Sequence, residues 1–216
     1  MVVRPTDPAG SDAVAIVTGA SSPAGREIAR ELASRGYAVV VVYLGNQAEA
    51  EAAVAEILAA NATALAVRAD VADELDVERL FAETAAAFGS VDVVVQTAGP
   101  GSSVVNEHAS RQLRRGGAIV NVSSTAAIEP ALADELRARD ITVSGLAPGR
   151  EGPGPDHDVA EVVGLVDVWR AKTRAMTPGL HGRGRSRDRR ACDEPRSGGA
   201  DQARKEHDSA QHQRRP

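Results

Sequence analysis

Residues 13–34 read AVAIVTGASSPAGREIARELAS, and this stretch decides the fold. Its first six residues form an apolar, β-branched run, which is typical of a strand buried on both faces of a parallel sheet. A glycine-rich turn follows. Beyond the turn, Ile28, Ala29, Leu32 and Ala33 recur with helical spacing and define one apolar face. The stretch therefore predicts a strand, a tight turn and an amphipathic helix in direct succession.

The same alternation of strand and helix repeats along the chain. Further apolar runs of strand length occupy residues 37–43, 63–68, 91–96, 118–123 and 141–146. Helical patterns lie between these runs. In the clearest of them the apolar side chains recur with helical spacing and therefore lie on one face of the helix. Repeated β-α-β units indicate an α/β fold with a doubly wound, Rossmann-like parallel sheet. In the usual order of such a sheet, the strands lie side by side as 3-2-1-4-5.

The chain divides by composition into three parts. Residues 1–11 are predicted to be a flexible N-terminus, and residues 12–169 to be a Rossmann-like dinucleotide-binding domain that ends in a short helix anchored by Trp169. Residues 1–169 carry 12 arginines against 24 acidic residues, whereas residues 170–216 carry 13 basic against 6 acidic residues. Almost no apolar residue remains in the last part to offset its ordering entropy, so a disordered basic tail is predicted there.

Composition also excludes several classes of protein. Cys192 is the only cysteine among 216 residues, which excludes a disulfide scaffold. No apolar run reaches membrane-spanning length and the N-terminus does not resemble a secretory signal, so we predict a cytoplasmic protein without a membrane partner. The basic tail lacks aromatic residues for base stacking, so nucleic acid is not a predicted partner. Asp156, His157 and Asp158 are adjacent on a loop and point apart, so no metal site is predicted.

The glycine-rich turn suits a pyrophosphate group. Gly19 permits a tight turn, and Gly25 lets the helix approach the strand closely. Backbone N–H groups and the hydroxyls of Ser21 and Ser22 can face phosphate oxygens at the helix N-terminus. A plain strand-to-helix turn remains the alternative, because a glycine-rich turn alone is a weak signal. Its place between an apolar strand and a helix favours a dinucleotide site.

Several motifs, in this order, resemble those of the classical short-chain dehydrogenase/reductase family over roughly residues 12 to 165. The matching segments are Thr18 to Gly25, Asp70-Val71, Thr97-Ala98-Gly99, Asn121 to Ser124 and Val143 to Gly149. The resemblance implies a doubly wound fold and an oxidoreductase that uses a nicotinamide dinucleotide. The cofactor-binding residues that it implies are Gly19, Ser21, Ser22, Pro23, Ala24, Gly25, Asp70, Val71, Ala98, Gly99, Pro148 and Gly149.

The resemblance also implies two residues of a catalytic site. Ser124 resembles the family's catalytic serine, and Asn106 resembles the helix asparagine that supports a proton-relay water. Simpler interpretations stay open from the residues alone. Ser124 could be an ordinary strand-end hydroxyl, and Asn106 could be a helix cap. Asp70 could likewise cap the helix that starts near Asp73 rather than contact adenine.

The chain departs from the family pattern at the residues that transfer the proton in the family's reaction. The family's Tyr-x-x-x-Lys belongs between Ser124 and Pro148, but that interval contains neither residue type. In the family the tyrosine exchanges a proton while hydride moves, and the lysine lowers the tyrosine pKa. The remaining tyrosines, Tyr37 and Tyr43, bracket the second strand, and the lysines, Lys172 and Lys205, belong to the polar tail. In addition, proline stands at position 23 in place of the family's middle glycine and lacks the N–H that could face phosphate.

Two functions therefore remain. The first is an NAD(P)(H)-dependent oxidoreductase that acts on a small carbonyl compound or secondary alcohol, and the second is a catalytically impaired nucleotide-binding remnant of that family. The second strand ends in Tyr43, Leu44, Gly45 and Asn46 without a carboxylate, which favours NADP(H) over NAD(H). The tail stands where the family has its last helix and strand, so a family-type homo-oligomer is not predicted.

Overall fold

The computed structural model describes residues 13–97, 101–122, 130–146 and 155–176, without the side chains of 155–158 and 174–176. The strands in these ranges are β1 (Ala13–Thr18), β2 (Tyr37–Tyr43), β3 (Ala64–Arg68), β4 (Val91–Thr97), β5 (Leu113–Val122) and β6 (Thr142–Leu146). The helices are α1 (Pro23–Ser34), α2 (Gln47–Ala59), α3 (Glu74–Phe88), α4 (Ser102–Gln112), α5 (Pro130–Ala138) and α6 (Pro155–Met176). The predicted flexible N-terminus, residues 1–11, and the tail beyond Met176 lie outside the described residues.

The strands form one parallel sheet in the order β3-β2-β1-β4-β5-β6. This order confirms the predicted doubly wound α/β fold. The chain first winds outward from β1 to β3 and then returns to place β4 on the other side of β1. In open sheets of this kind ligands bind beyond the carboxyl ends of the strands, at the point where the winding reverses. The turns that follow β1, β2, β3 and β4 therefore frame the candidate site.

Each face of the sheet is covered by its own helices. Side chains on one face, such as Val39 and Val41 of β2, pack in a core with α1, α2 and α6. Their neighbours Val40 and Val42 point to the opposite face and pack in a second core with α3, α4 and α5. Because side chains alternate along a strand, continuously apolar strands are what a sheet covered on both faces requires.

The last helix reaches further than composition predicted. Helix α6 continues to Met176, beyond the boundary expected at Arg170. Arg170 donates from Nη1 to the carbonyl of Arg35 at 2.6 Å, and its guanidinium lies 4.5 Å above the ring of Tyr37. Trp169 is buried and donates from Nε1 to the carbonyl of Gly116 at 2.6 Å. Polar contacts to the C-cap of α1 and to β5 therefore anchor the helix where it enters a segment with few apolar residues.

Strand β5 starts earlier than the apolar pattern indicated, at Leu113 instead of residue 118. Its first half bulges, since Val91 and Val93 of β4 pair with Leu113 and Ala118. Gly116 has φ +79 within the bulge, and Arg114 pairs through Nε with the buried carboxylate of Asp92 at 3.2 Å. The bulge accommodates the polar residues that hid this half of the strand from the apolar pattern.

Candidate cofactor site

The turn after β1 is held closed by the end of β4. Gly19 has φ +64, and a Cβ atom at this position would overlap Oγ1 of Thr97. That hydroxyl donates to the carbonyl of Thr18 at 2.8 Å and so connects the two strand ends. A left-handed φ together with a close approach leaves glycine as the residue that fits. The predicted tight turn is confirmed, whereas the contact of Thr97 with this turn was not predicted from the Thr97-Ala98-Gly99 motif.

Helix α1 begins with a side-chain cap and a proline. Ser22 accepts the N–H of Gly25 on its Oγ at 3.1 Å, and its own N–H donates to the carbonyl of Gly19 at 2.9 Å. Pro23 is the first helical residue and has no N–H. A helix leaves four N–H groups without partners at its start. In α1 only the N–H of Ala24 is left for a phosphate, which makes this a reduced version of the usual anion site.

Gly25 brings the helix against the turn. A Cβ atom on Gly25 would overlap the carbonyl oxygen of Gly19 and would lie 2.9 Å from the Cα of Ala20. Both neighbours are backbone atoms of the turn and cannot rotate away as a flexible side chain could. The glycine therefore sets the distance between the helix N-terminus and the strand end, as predicted from the motif.

We expect the Gly25→Ala variant to lose about 1 to 3 kcal/mol of unfolding free energy, because the methyl group overpacks a backbone contact. Chemical denaturation followed by circular dichroism measures this loss. Gly164→Ala is the matched control: Gly164 is exposed on α6 and no atom lies within 4 Å of its added Cβ, so stability should hold or rise slightly. Equal stability of both variants would contradict the close helix-to-turn contact.

The loop after β3 is shaped by Asp70 and Asp73, and the two roles left open for Asp70 were a contact to adenine and the cap of α3. Asp73 caps α3, accepting the N–H of Asp76 on Oδ1 at 2.9 Å. Asp70 does not cap the helix; its Oδ1 accepts the N–H of Ala72 at 2.9 Å and forms a local turn. Next to it, the backbone of Val71 lies so close to Gly101 that a Cβ on Gly101 would overlap it. The loops after β3 and β4 therefore meet at the site.

Asp76 fixes this loop from the first turn of α3. Its Oδ2 accepts the N–H of Asp70 at 2.8 Å, and its Oδ1 accepts from Nη2 of Arg79 at 2.8 Å. The Asp70 N–H, and after it the Arg79 guanidinium, hold the pKa of the Asp76 carboxyl below its ordinary value. Sequence analysis missed this residue, although an acidic side chain in a first helical turn is a recognisable signal.

Acid is therefore expected to loosen the loop that carries Asp70. A carboxyl group with a lowered pKa in the folded state stabilises the fold above its unfolded pKa of about 4, and this contribution is lost as pH falls through the folded pKa. The protection factor of the Asp70 amide, its exchange rate compared with that of an unfolded chain at the same pH, should fall at low pH, and Asp76→Asn should show a lowered protection factor already at neutral pH. Glu78→Gln, an exposed neighbour on α3, serves as the control. A protection factor at Asp70 that changes neither with acid nor in Asp76→Asn would contradict the role of Asp76 in holding this loop.

Asn106 lies inside the second core rather than at a helix end. It is the fifth residue of α4, 3% exposed, and its Oδ1 accepts from Nε2 of Gln96 at 2.6 Å. The interpretation as a helix cap is therefore wrong for this residue. Gln96 ends the apolar run of β4, and sequence analysis passed over it. A polar residue at the end of such a run was the available signal.

Asn121 lies beside this pair on the same face of the sheet. It is in register with Gln96 of β4 and with Gly145 of β6, and it is 1% exposed. Within the described ranges, neither amide atom of Asn121 has a hydrogen-bond partner. A buried polar group without a partner costs about 1 to 3 kcal/mol. The carboxyl ends of β4 and β5 thus carry two buried amide side chains in register on one face of the sheet.

Several predicted site residues lie outside the described residues. They are Ala98, Gly99, Ser124, Pro148 and Gly149. The side chains of Asp156, His157 and Asp158, at the start of α6, are likewise not described.

Neither Tyr37 nor Tyr43 is placed to replace the tyrosine of the Tyr-x-x-x-Lys motif that the interval from Ser124 to Pro148 lacks. Tyr37 is buried at the amino end of β2, and Tyr43 ends the same strand. The strand order places β1 and β4 between β2 and β5, which is three spacings, or about 14 Å. Lys172 is exposed on α6. In the described part of the chain, no tyrosine reaches the end of β5.

Comparison with known proteins identifies the class to which this fold and turn belong. A family model described as short chain dehydrogenase matches residues 13–113. The chain is 34% identical over 179 residues to the 3-oxoacyl-acyl-carrier-protein reductase FabG of Staphylococcus aureus, an alignment that covers 62% of this chain and 73% of the relative.

Solved structures give the same result. A metagenomic short-chain oxidoreductase in complex with NADP superposes with TM-score 0.58 at 30% identity, covering 72% of this chain and 90% of the other. A short chain dehydrogenase from Burkholderia cenocepacia, also in complex with NADP, has TM-score 0.57 at 27% identity and the same coverage. The chain belongs to the short-chain dehydrogenase/reductase family of oxidoreductases, whose members act on small molecules. None of the helices that the structure describes has the length and apolar character needed to cross a membrane.

Proposed function

We propose that the chain binds a nicotinamide dinucleotide beyond the carboxyl ends of β1 to β4 and acts as an oxidoreductase on a small carbonyl compound or secondary alcohol. The observation that carries the proposal is the cradle around Gly19 and Gly25, where added Cβ atoms would overlap neighbouring atoms of the turn and of Thr97. The bound dinucleotide would supply a hydride donor or acceptor. We further propose a cytoplasmic location, a dinucleotide-binding domain over 12–169 whose last helix runs on to Met176, and neither membrane nor nucleic acid as partner.

The described residues divide the binding among three places. Ser21, Ser22 and the N–H of Ala24 surround the pyrophosphate position, while Pro23 reduces the number of donors there. Asp70 and Val71 face the adenine position from the loop after β3. Beyond the described residues, Ala98, Gly99, Pro148 and Gly149 match the family's contacts to the nicotinamide half. Ser124 and Asn106 belong to the end of the site where the substrate would react. Asn106 lies on α4, and Gln96 of β4 donates to its side chain.

The end of β2 favours NADP(H) over NAD(H). Leu44 is 49% exposed there, and Asn46 uses its Oδ1 to cap α2 by accepting the N–H of Glu49 at 3.4 Å. No carboxylate follows Tyr43 directly to bind a ribose 2′-hydroxyl. A 2′-phosphate therefore meets no acidic residue at the strand end itself.

A second candidate function is a nucleotide-binding protein with impaired catalysis. The specific observation is the interval from Ser124 to Pro148, which contains neither tyrosine nor lysine. Because Tyr43 lies about three strand spacings from β5, no other tyrosine takes over the proton transfer. Binding would then persist while turnover is slow.

A thermal melt with and without millimolar NADPH or NADH tests the proposal. A cooperative transition that either cofactor raises supports dinucleotide binding, and fluorescence titration then ranks the two. Turnover of a panel of ketones and alcohols separates the candidates, since activity abolished by Ser124→Ala supports the oxidoreductase. A transition indifferent to both cofactors would overturn the proposal.

Restoring the backbone N–H that Pro23 lacks should improve cofactor binding. Pro23→Gly returns an N–H to the first turn of α1, and a hydrogen bond to a charged group contributes about 1.5 to 3 kcal/mol. Part of this is offset by the backbone entropy of glycine, about 1 kcal/mol. We expect a several-fold lower Kd for NADPH by fluorescence titration. Pro23→Ala, which also has an N–H, is the companion variant, and a Kd unchanged in both would contradict the assignment.

A further inference from the structure

An ion pair connects the two helices that begin on either side of the nucleotide turn. Nη2 of Arg26 lies 3.2 Å from Oε2 of Glu49, and the two side chains are 30% and 46% exposed. Arg26 is in the first turn of α1, where its N–H donates to the carbonyl of the cap Ser22. Glu49 is in the first turn of α2, where its N–H donates to the cap Asn46. The pair therefore bridges the two helix caps.

These caps lie side by side at one edge of the sheet. Strands β1 and β2 are neighbours and run parallel, so Ser22 and Asn46, which follow them, both lie beyond the carboxyl ends. In dinucleotide-binding sheets the end of the second strand is where the adenosine ribose is recognised. A group on the ribose 2′ oxygen would thus lie between the two caps, with the Arg26–Glu49 pair on the helical side of that gap.

The charges around this gap are few. Between residues 13 and 59 the basic residues are Arg26, Arg30 and Arg35, and α2 has none of its own. Arg30 and Arg35 lie one and two turns further along α1, toward the amino ends of the strands. Among residues 13–59, Arg26 is therefore the basic residue closest along its helix to the caps, and a further exposed cation, Arg68, ends β3 in register with Tyr43. Its Nε is buried and has no hydrogen-bond acceptor among the described residues, so its bonding capacity is not filled by Glu49.

We propose that Arg26 binds the 2′-phosphate of NADP(H) and that Glu49 limits this preference, so that the pair sets the selectivity between NADP(H) and NAD(H). The inference rests on the proposed dinucleotide function. A phosphate attracts the guanidinium, which offers further N–H donors in a planar fork suited to phosphate oxygens. The Glu49 carboxylate competes for the same guanidinium and repels the phosphate. Selectivity is thus a balance between two opposite charges in contact.

Neutralising each partner should shift the balance in opposite directions. We expect Glu49→Gln to raise the ratio of NADPH to NADH affinity by roughly tenfold and Arg26→Gln to lower it by a similar factor. Fluorescence titration gives both Kd values for each variant. Titration with 2′,5′-ADP and 5′-AMP should repeat the order, because these fragments differ only in the 2′-phosphate. The differences should shrink as salt is raised, since exposed charges are screened.

A second pair between the same helices provides the matched control. Nε of Arg30 lies 3.7 Å from Oε2 of Glu56, and both residues line a groove with Gly36 and Thr63 beside the amino ends of the strands. Glu56→Gln removes the same charge between α1 and α2, away from the caps, and should leave the affinity ratio unchanged. Thermal melts without ligand establish that each variant is folded.

The outcomes separate the inference from the function on which it rests. Opposite shifts for Glu49→Gln and Arg26→Gln, with none for Glu56→Gln, support it. Dinucleotide binding with the same ratio in all variants would overturn the inference and leave the proposed function intact. Folded protein that binds neither dinucleotide nor fragment in any variant would overturn both.

Discussion

Reduction of a ketone with NADPH is expected to be about 10²- to 10⁴-fold slower with this protein than with a family member that has both the tyrosine and the lysine. This deficit corresponds to about 3 to 5 kcal/mol of activation barrier. The physical reason is the loss of a positioned general acid. Tyr43 is separated from β5 by β1 and β4, and Tyr37 is buried at the opposite end of β2.

Single-turnover kinetics with saturating NADPH measure this step directly, because they separate chemistry from binding. Activity should fall further in Ser124→Ala because the serine is then lost as a source of stabilisation, whereas Ser110→Ala, at a buried position of α4, controls for indirect effects. Turnover equal to that of an intact family member would show that another group donates the proton, and it would overturn the second candidate function.

Replacement of Trp169 by alanine is expected to lower the free energy of unfolding by about 3 to 5 kcal/mol. The indole is 7% exposed and packs in the core that α1 and α6 share with the sheet. Its Nε1 donates to the carbonyl of Gly116, so truncation also leaves that carbonyl without its partner. Both losses act on the same helix, and α6 should detach before the rest of the domain unfolds.

Denaturant unfolding monitored by circular dichroism measures the loss. Trp169→Phe keeps most of the apolar volume but removes the N–H, so it should lose only the part due to the hydrogen bond, about 0.5 to 1.5 kcal/mol. Val168→Ala, at a position 68% exposed on the same helix, should be nearly neutral. A small effect of Trp169→Ala would contradict the packing of α6 against β5.

Local signals predicted the first β-α unit correctly. The apolar run of β1, the tight turn at Gly19 and the close approach at Gly25 follow from residues within a dozen positions of each other, whereas the cap at Ser22 was not predicted. Pro130 is the first residue of α5, a position where proline is tolerated.

Elements with compensating polar contacts were predicted less well. The start of β5 was missed because two arginines and two glycines interrupt its apolar run. The end of α6 was placed too early because Arg170 and Trp169 reach carbonyl acceptors at the C-cap of α1 and in β5, which are distant in sequence. In both elements, polar groups stabilise a regular structure through partners that are remote in sequence.

The sequence by itself determined the alternation of strands and helices, the doubly wound class, the glycines of the turn and the absence of Tyr and Lys between Ser124 and Pro148. These follow from periodicity, steric demands and composition, which are local. Only the tertiary structure decided which groups meet at the site. Thr97 closes the turn after β1, Gln96 holds Asn106, and Arg26 pairs with Glu49. Such pairings depend on strand order and helix placement, because contact distances in a folded chain are independent of separation along the sequence.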